Sequence, residues 1–246
     1  MFAVPAPCRR RFIPLLLGLL AVLPFSLSGQ ENAAPTEPPP VPEVPADMGF
    51  LRLVNAVGLS GALQVRIDGT EAAPEGFKAG EATGAVGLSP GTYKVELEHV
   101  LLGKEALEVN IQTGQISTVV AFRTEKSEPN AKATSKSKQE PGPRLAWKLD
   151  QSPVSPPDLE RPSLTLLQVT PLDTLPLSVS GTAASARAAE PVRVAITPAM
   201  GAFPEVHYQG RAVCLLNFKF PADQLVVLFT DEAGQLRHAP MRNDVQ

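Results

Sequence analysis

Leu63-Gln64-Val65-Arg66-Ile67-Asp68-Gly69-Thr70 decides the fold. Apolar Leu63, Val65 and Ile67 alternate with polar Gln64, Arg66 and Asp68. Successive side chains of an extended strand point to opposite faces, so a period of two buries one face and wets the other. Asp68-Gly69 then reads as a turn, because both residue types tolerate left-handed backbone. The same alternation recurs on either side. Leu51, Leu53, Asn55 and Val57 share a face. Tyr93, Val95 and Leu97 alternate with Lys94, Glu96 and Glu98, and Leu107, Val109 and Ile111 alternate with Glu108 and Asn110. Thr118, Val120 and Phe122 close the series, with Ser89-Pro90-Gly91 and Thr113-Gly114 as turns between strands. Such a succession of short strands predicts a small antiparallel sandwich or barrel.

A second block repeats the theme. Leu164–Val169, Leu175–Val179, Val192–Thr197, Val206–Tyr208, Val213–Phe220 and Leu225–Thr230 read as strands, with Gln209-Gly210 and Glu232-Ala233-Gly234 as tight turns. The two blocks align. Leu63-x-Val65-x-Ile67-Asp68-Gly69-Thr70 matches Leu175-x-Leu177-x-Val179-Ser180-Gly181-Thr182. Leu51-x-Leu53 matches Leu164-x-Leu166, and Val119-Val120-Ala121-Phe122 matches Val226-Val227-Leu228-Phe229. The shared order and the shared Gly-Thr point to an internal duplication. The fold class expected is all-β: two small immunoglobulin-like antiparallel β-sandwich domains in tandem, joined by a disordered linker.

The remaining segments are punctuation. Arg9, Arg10 and Arg11 precede the apolar run Phe12 to Leu23, and small residues follow at Ser26, Ser28 and Gly29. That order is a signal peptide over 1–29, too short to span a bilayer, which needs roughly 20 apolar residues. An uncleaved anchor is the alternative, and the twin arginines leave both the general secretory and the twin-arginine routes open. Residues 30–47 are proline-rich and read as a stiff spacer. Residues 124–162 read as a linker: first Lys, Ser and Glu without apolar period, then a series of prolines hostile to sheet interiors. The expected domains are therefore 48–123 and 163–240, with a tail at 241–246.

The segments Leu51-Arg52-Leu53-Val54-Asn55-Ala56, Leu63 to Gly69, and Leu88-Ser89-Pro90-Gly91-Thr92-Tyr93-Lys94-Val95 resemble a secreted bacterial domain family of unknown function, the one numbered forty-three ninety-seven. The resemblance covers the first block only. It implies an immunoglobulin-like β-sandwich on an exported bacterial protein, and it supplies no catalytic residue. Gly58-Leu59-Ser60-Gly61 stands where such domains often carry a proline-rich acidic turn.

The chain has 22 basic and 25 acidic residues, and the leader removes three arginines. An acidic chain has no electrostatic reason to bind nucleic acid or anionic lipid. Of the two cysteines, Cys8 lies in the leader, which leaves Cys214 without an intramolecular partner. His99, His207 and His238 lack any neighbour at metal-ligand spacing. A hairpin centred on Gln209-Gly210 would pair Cys214 with Glu205, away from His207. Cys214 as a nucleophile would need a base that the sequence does not supply. Asp231-Glu232 precedes Ala233-Gly234 and reads as a solvated turn, as does Asp68 before Gly69. No catalytic, metal or cofactor-binding residue is expected.

Trp147 stands apart. Leu145, Trp147 and Leu149 alternate with Ala146 and Lys148 inside the stretch read as linker. Two readings follow: an added edge strand, which the cost of exposing a Trp favours, or an exposed contact for a partner. The function expected is a non-catalytic structural or binding module of the bacterial envelope or extracellular space, its partner an envelope protein or a glycan. The alternative is an exported enzyme, or its accessory domain, acting on glycans.

Overall fold

The computed structural model describes residues 47–125, 142–154, 162–218 and 222–243. The signal peptide, nearly all of the proline-rich spacer and most of the linker expected from sequence lie outside these residues.

The described residues form sixteen strands in four sheets of four. In the first half, β1 (Gly49–Ala56), β4 (Val86–Leu88), β7 (Gln115–Thr124) and β8 (Arg144–Pro153) make one sheet in the order β4-β1-β7-β8. Strands β2 (Leu63–Ile67), β3 (Thr70–Glu71), β5 (Gly91–His99) and β6 (Gly103–Ile111) make the facing sheet, β3-β2-β5-β6. Leu51, Leu53, Val119 and Ala121 from the one meet Leu63, Val65, Val95, Leu97 and Val109 from the other in a shared core.

The second half repeats this. Strands β9 (Ser163–Gln168), β12 (Pro191–Ala195), β15 (Gln224–Thr230) and β16 (Leu236–Arg242) pair in the order β12-β9-β15-β16. Strands β10 (Thr174–Val179), β11 (Thr182–Arg187), β13 (Glu205–Tyr208) and β14 (Arg211–Leu215) pair as β11-β10-β13-β14. Each strand of the second half takes the place of the strand eight before it. The tandem sandwiches read from the alignment are therefore present, and their connectivity is the same.

Local chemistry agrees between the halves. Asp68 and Gly69 have φ of 47° and 79°, and Ser180 and Gly181 have 44° and 85°. Two successive left-handed residues make the turn whose twist matches a two-residue hairpin. Asn55 and Gln168 are both buried at the end of the first strand of their sandwich. Asn55 Oδ1 accepts the Val57 N–H and its Nδ2 donates to the Phe77 carbonyl. Gln168 Oε1 accepts the Thr170 N–H and its Nε2 donates to the Leu172 carbonyl.

Four corrections to the sequence reading follow. First, the sheets are not wholly antiparallel: β1 pairs β7, and β9 pairs β15, in parallel. Second, residues 144–153 are not linker but β8, paired along its full length with β7. Its alternating Leu145 and Leu149 pack on the first core. Third, the domain does not end at 240. Strand β16 runs to Arg242, and Met241 and Asn243 are buried. Pro240 is tolerated there because β16 lies at a sheet edge. Strand β11, made of small and polar residues, had no apolar period to announce it.

The fourth correction concerns the relation of the sandwiches. They do not stand apart. Val54, Ala56, Val120 and Phe122 join Leu167, Val169, Leu225, Val227, Phe229, Ala239 and Met241 in a third core. Sheet β4-β1-β7-β8 thus packs against sheet β12-β9-β15-β16, and the described strands stack as four sheets. This explains why every residue of β1 is buried: both of its faces are covered.

Candidate functional site

A depression of about 860 Å³ opens beside the edge strands β14 and β16 of the second sandwich. The β13–β14 hairpin forms one wall. Gln209 and Gly210, with φ of 50° and 74°, turn it tightly, and a bulge between Val206 and His207 shifts the pairing beyond. Because of that bulge Cys214 pairs with Val206, not with Glu205 as a regular ladder would have it. The β15–β16 hairpin forms the other wall, and Ala79 and Gly80 of the first sandwich close one side.

The lining is mixed. Tyr208 is half-buried and its hydroxyl oxygen accepts a hydrogen bond from Gln209 Nε2 at 3.1 Å. Arg211 is exposed beside it. Arg237 is held: its Nε donates to Asp231 Oδ2 at 2.8 Å, and its Nη2 donates to Gln235 Oε1 at 3.1 Å. Asp231 Oδ1 also accepts the N–H groups of Ala233 and Gln235. The Gln235 N–H, then the Arg237 guanidinium, keep the Asp231 carboxyl below its ordinary range. His238 and Phe229 also line the depression. The arrangement offers side-chain amides and guanidinium groups in an open cleft, lined also by the part of Tyr208 that is not packed on the second core. It suits recognition of a polar, negatively charged ligand, with Asp231 already engaged in holding the hairpin.

The residues weighed from sequence lie elsewhere or serve the fold. His99, His207 and His238 lie on three different strands. His207 Nε2 lies 2.8 Å from Glu205 Oε2 on the outer face of its sheet. Cys214 is buried, and burial pushes its thiol up to about 11, which leaves no thiolate for nucleophilic attack at neutral pH. Among the described residues no three His, Cys, Asp or Glu side chains gather as a metal site. Asp68 Oδ1 accepts the Lys94 N–H at 2.8 Å and so fastens a turn. Glu232 accepts the Ser60 N–H, which ties the β15–β16 turn to the first sandwich. Trp147 sits on β8 opposite Ala121, 38% exposed, and does not line the cleft.

A second depression of about 300 Å³ lies over β2, β5 and β6. Both of its basic side chains are already paired: Arg66 with Glu71 at 3.4 Å and Lys104 with Glu98 at 2.9 Å. Sequence reasoning passed over Tyr208, Arg211 and Arg237. Their only signal is adjacency to two hairpin turns that the fold sets side by side.

No protein-family model matches the chain, and no curated protein matches it. Among the described residues no helix is long and apolar enough to cross a membrane.

Proposed function

We propose that the chain is an exported, non-catalytic binding module of the bacterial envelope or extracellular space, and that the β14–β16 cleft seats a glycan bearing carboxylates. The observation that carries this reading is the cleft itself: Arg211 stands free at its mouth beside the Tyr208 ring, on a chain with more acidic than basic residues. A guanidinium grips a carboxylate through paired hydrogen bonds, and an aromatic ring offers an apolar face to a sugar. The Arg9–Gly29 pattern supports export, as does the resemblance of the first sandwich to an exported domain family. An enzyme acting on glycans would need a free acid and a second proton-transfer group in the cleft. Asp231 is occupied by Arg237 and by two turn amides.

The test is calorimetric titration of the full chain, without its leader, with polygalacturonate and with neutral dextran. Binding to the first and not the second is expected, with Arg211→Ala weakening it about tenfold, the worth of one charge-assisted contact. Equal affinity for both polymers, or no loss in Arg211→Ala, overturns the reading.

A further inference from the structure

The stacking of the two sandwiches has the form of a dimer. Sequence correspondence and strand register coincide: Leu53 pairs with Val119 in the first half, and their counterparts Leu166 and Val226 pair in the second. Applied to the third core, this correspondence sets Val54 against Leu167, Ala56 against Val169, Val120 against Val227 and Phe122 against Phe229. All eight belong to the one cluster. At the end where β1, β7, β9 and β15 all finish, Ala56 and Arg123 border the same small void as Val169 and Thr230. These are again corresponding positions. A surface that meets its own equivalent is the mark of an isologous, two-fold contact.

We infer that the β1–β7 face and the β9–β15 face are one self-complementary surface in two copies, so that each fits a second copy of its own sandwich as well as the sandwich it now covers. The partner is another molecule of this chain. The two faces differ at their edges. Across from Val227 and Leu225 stand Ala239 and Met241, whereas across from Val120 and Thr118 stand Lys148 and Asp150. The first face also carries Arg52, whose Nη1 donates to Asn243 Oδ1 at 3.0 Å, at the position where the second has Thr165. The second face is the more apolar, so it self-associates the more strongly.

The experiment blocks one face of the full chain and asks what the other does. Val54→Asp with Val120→Asp charges the first face while leaving Leu51, Leu53, Val119 and Ala121 in the first core. Light scattering should give twice the monomer mass, with β-sheet circular dichroism retained. Val169→Cys added to this variant should form a disulfide between copies, because Val169 and its counterpart Ala56 border one small void. Adding Leu167→Asp and Val227→Asp should return the protein to monomer. A folded monomer from the first variant, a polydisperse aggregate, or a dimer that survives blocking of both faces overturns the inference. If the first variant loses its sheet signal, Leu167→Asp with Val227→Asp alone should dimerise through β1 and β7. Loss of sheet signal there as well also overturns it, since a self-complementary face requires each sandwich to stand without the other.

Discussion

Gly58 meets Thr230 at the joint between the two sandwiches: a Cβ on Gly58 would stand 2.0 Å from the Thr230 carbonyl oxygen. Its φ of 70° is left-handed as well. Gly58 opens the turn Gly58-Leu59-Ser60-Gly61, and Ser60 of the same turn donates its N–H to Glu232. The turn is therefore a docking surface for the second sandwich, which leaves no room for a bulky proline-rich loop.

Gly58→Ala combines backbone strain with a clash against backbone that cannot rotate away. It should cost roughly 2–5 kcal/mol in chemical denaturation. Gly69 has φ of 79° but nothing within 4 Å of its absent Cβ. Gly69→Ala should cost only about 1–2 kcal/mol, the strain alone. Equal losses at both positions would show that the contact with Thr230 does not constrain the fold.

This contrast marks what the sequence could and could not disclose. Asp68-Gly69 is a local feature: the turn and the alternation of Leu63, Val65 and Ile67 sit in adjacent residues and were legible. The contact of Gly58 with Thr230 joins positions far apart in the chain and left no local trace. The stacking of the sandwiches did leave one. Val119-Val120-Ala121-Phe122 and Val226-Val227-Leu228-Phe229 are continuous apolar runs, as expected of strands buried on both faces. Reading Thr118, Val120 and Phe122 as the single inward face passed over Val119 and Ala121, which fill the other core. The cleft was invisible because Tyr208, Arg211 and Arg237 are ordinary strand residues until two hairpins bring them together.

The matched amides give a second test. Asn55 and Gln168 each satisfy an N–H two residues on and a carbonyl in a following loop. Removing either leaves buried backbone groups unpaired, at about 1–3 kcal/mol for each group left unsatisfied. Asn55→Ala and Gln168→Ala should therefore lose comparable stability, both on the scale of a few kcal/mol. A neutral result at one site would show that the two sandwiches no longer use the motif alike.

His99 makes stability depend on pH. The ring is buried, its Nδ1 accepts the Leu101 N–H, and its Nε2 has no hydrogen-bond partner. Burial holds the imidazole below its ordinary value of 6.5. Below that pH the unfolded chain binds a proton that the folded chain refuses, so stability falls as pH drops from 6.5 toward the lowered value. Melting temperature measured from pH 7.5 down to 5 should decline, and His99→Gln should flatten the decline. His238 is lowered in the same direction, by burial and then by Arg237, but is exposed and contributes less. An unchanged slope in His99→Gln would place the dependence elsewhere.

Trp147 tests the edge of the first sandwich. Its backbone pairs with Ala121 in β7, so the added strand is present, yet Trp147 is 38% exposed while neighbouring Leu145 is 2% exposed. Both side chains point from the same side of β8, and only Leu145 lies under the facing sheet. Leu145→Ala should cost about 2–5 kcal/mol, as for a buried leucine. Trp147→Ala gives up only partial burial and should cost roughly 1–2 kcal/mol. As the single Trp of the chain, it reports by fluorescence on this site alone. Its emission should lie between that of a buried and a free indole, with partial quenching by iodide. Because Trp147 does not line the cleft, Trp147→Ala should also leave polygalacturonate binding unchanged. A loss of binding with little loss of stability would instead make Trp147 the partner contact and move the binding surface from the second sandwich to the β8 edge of the first.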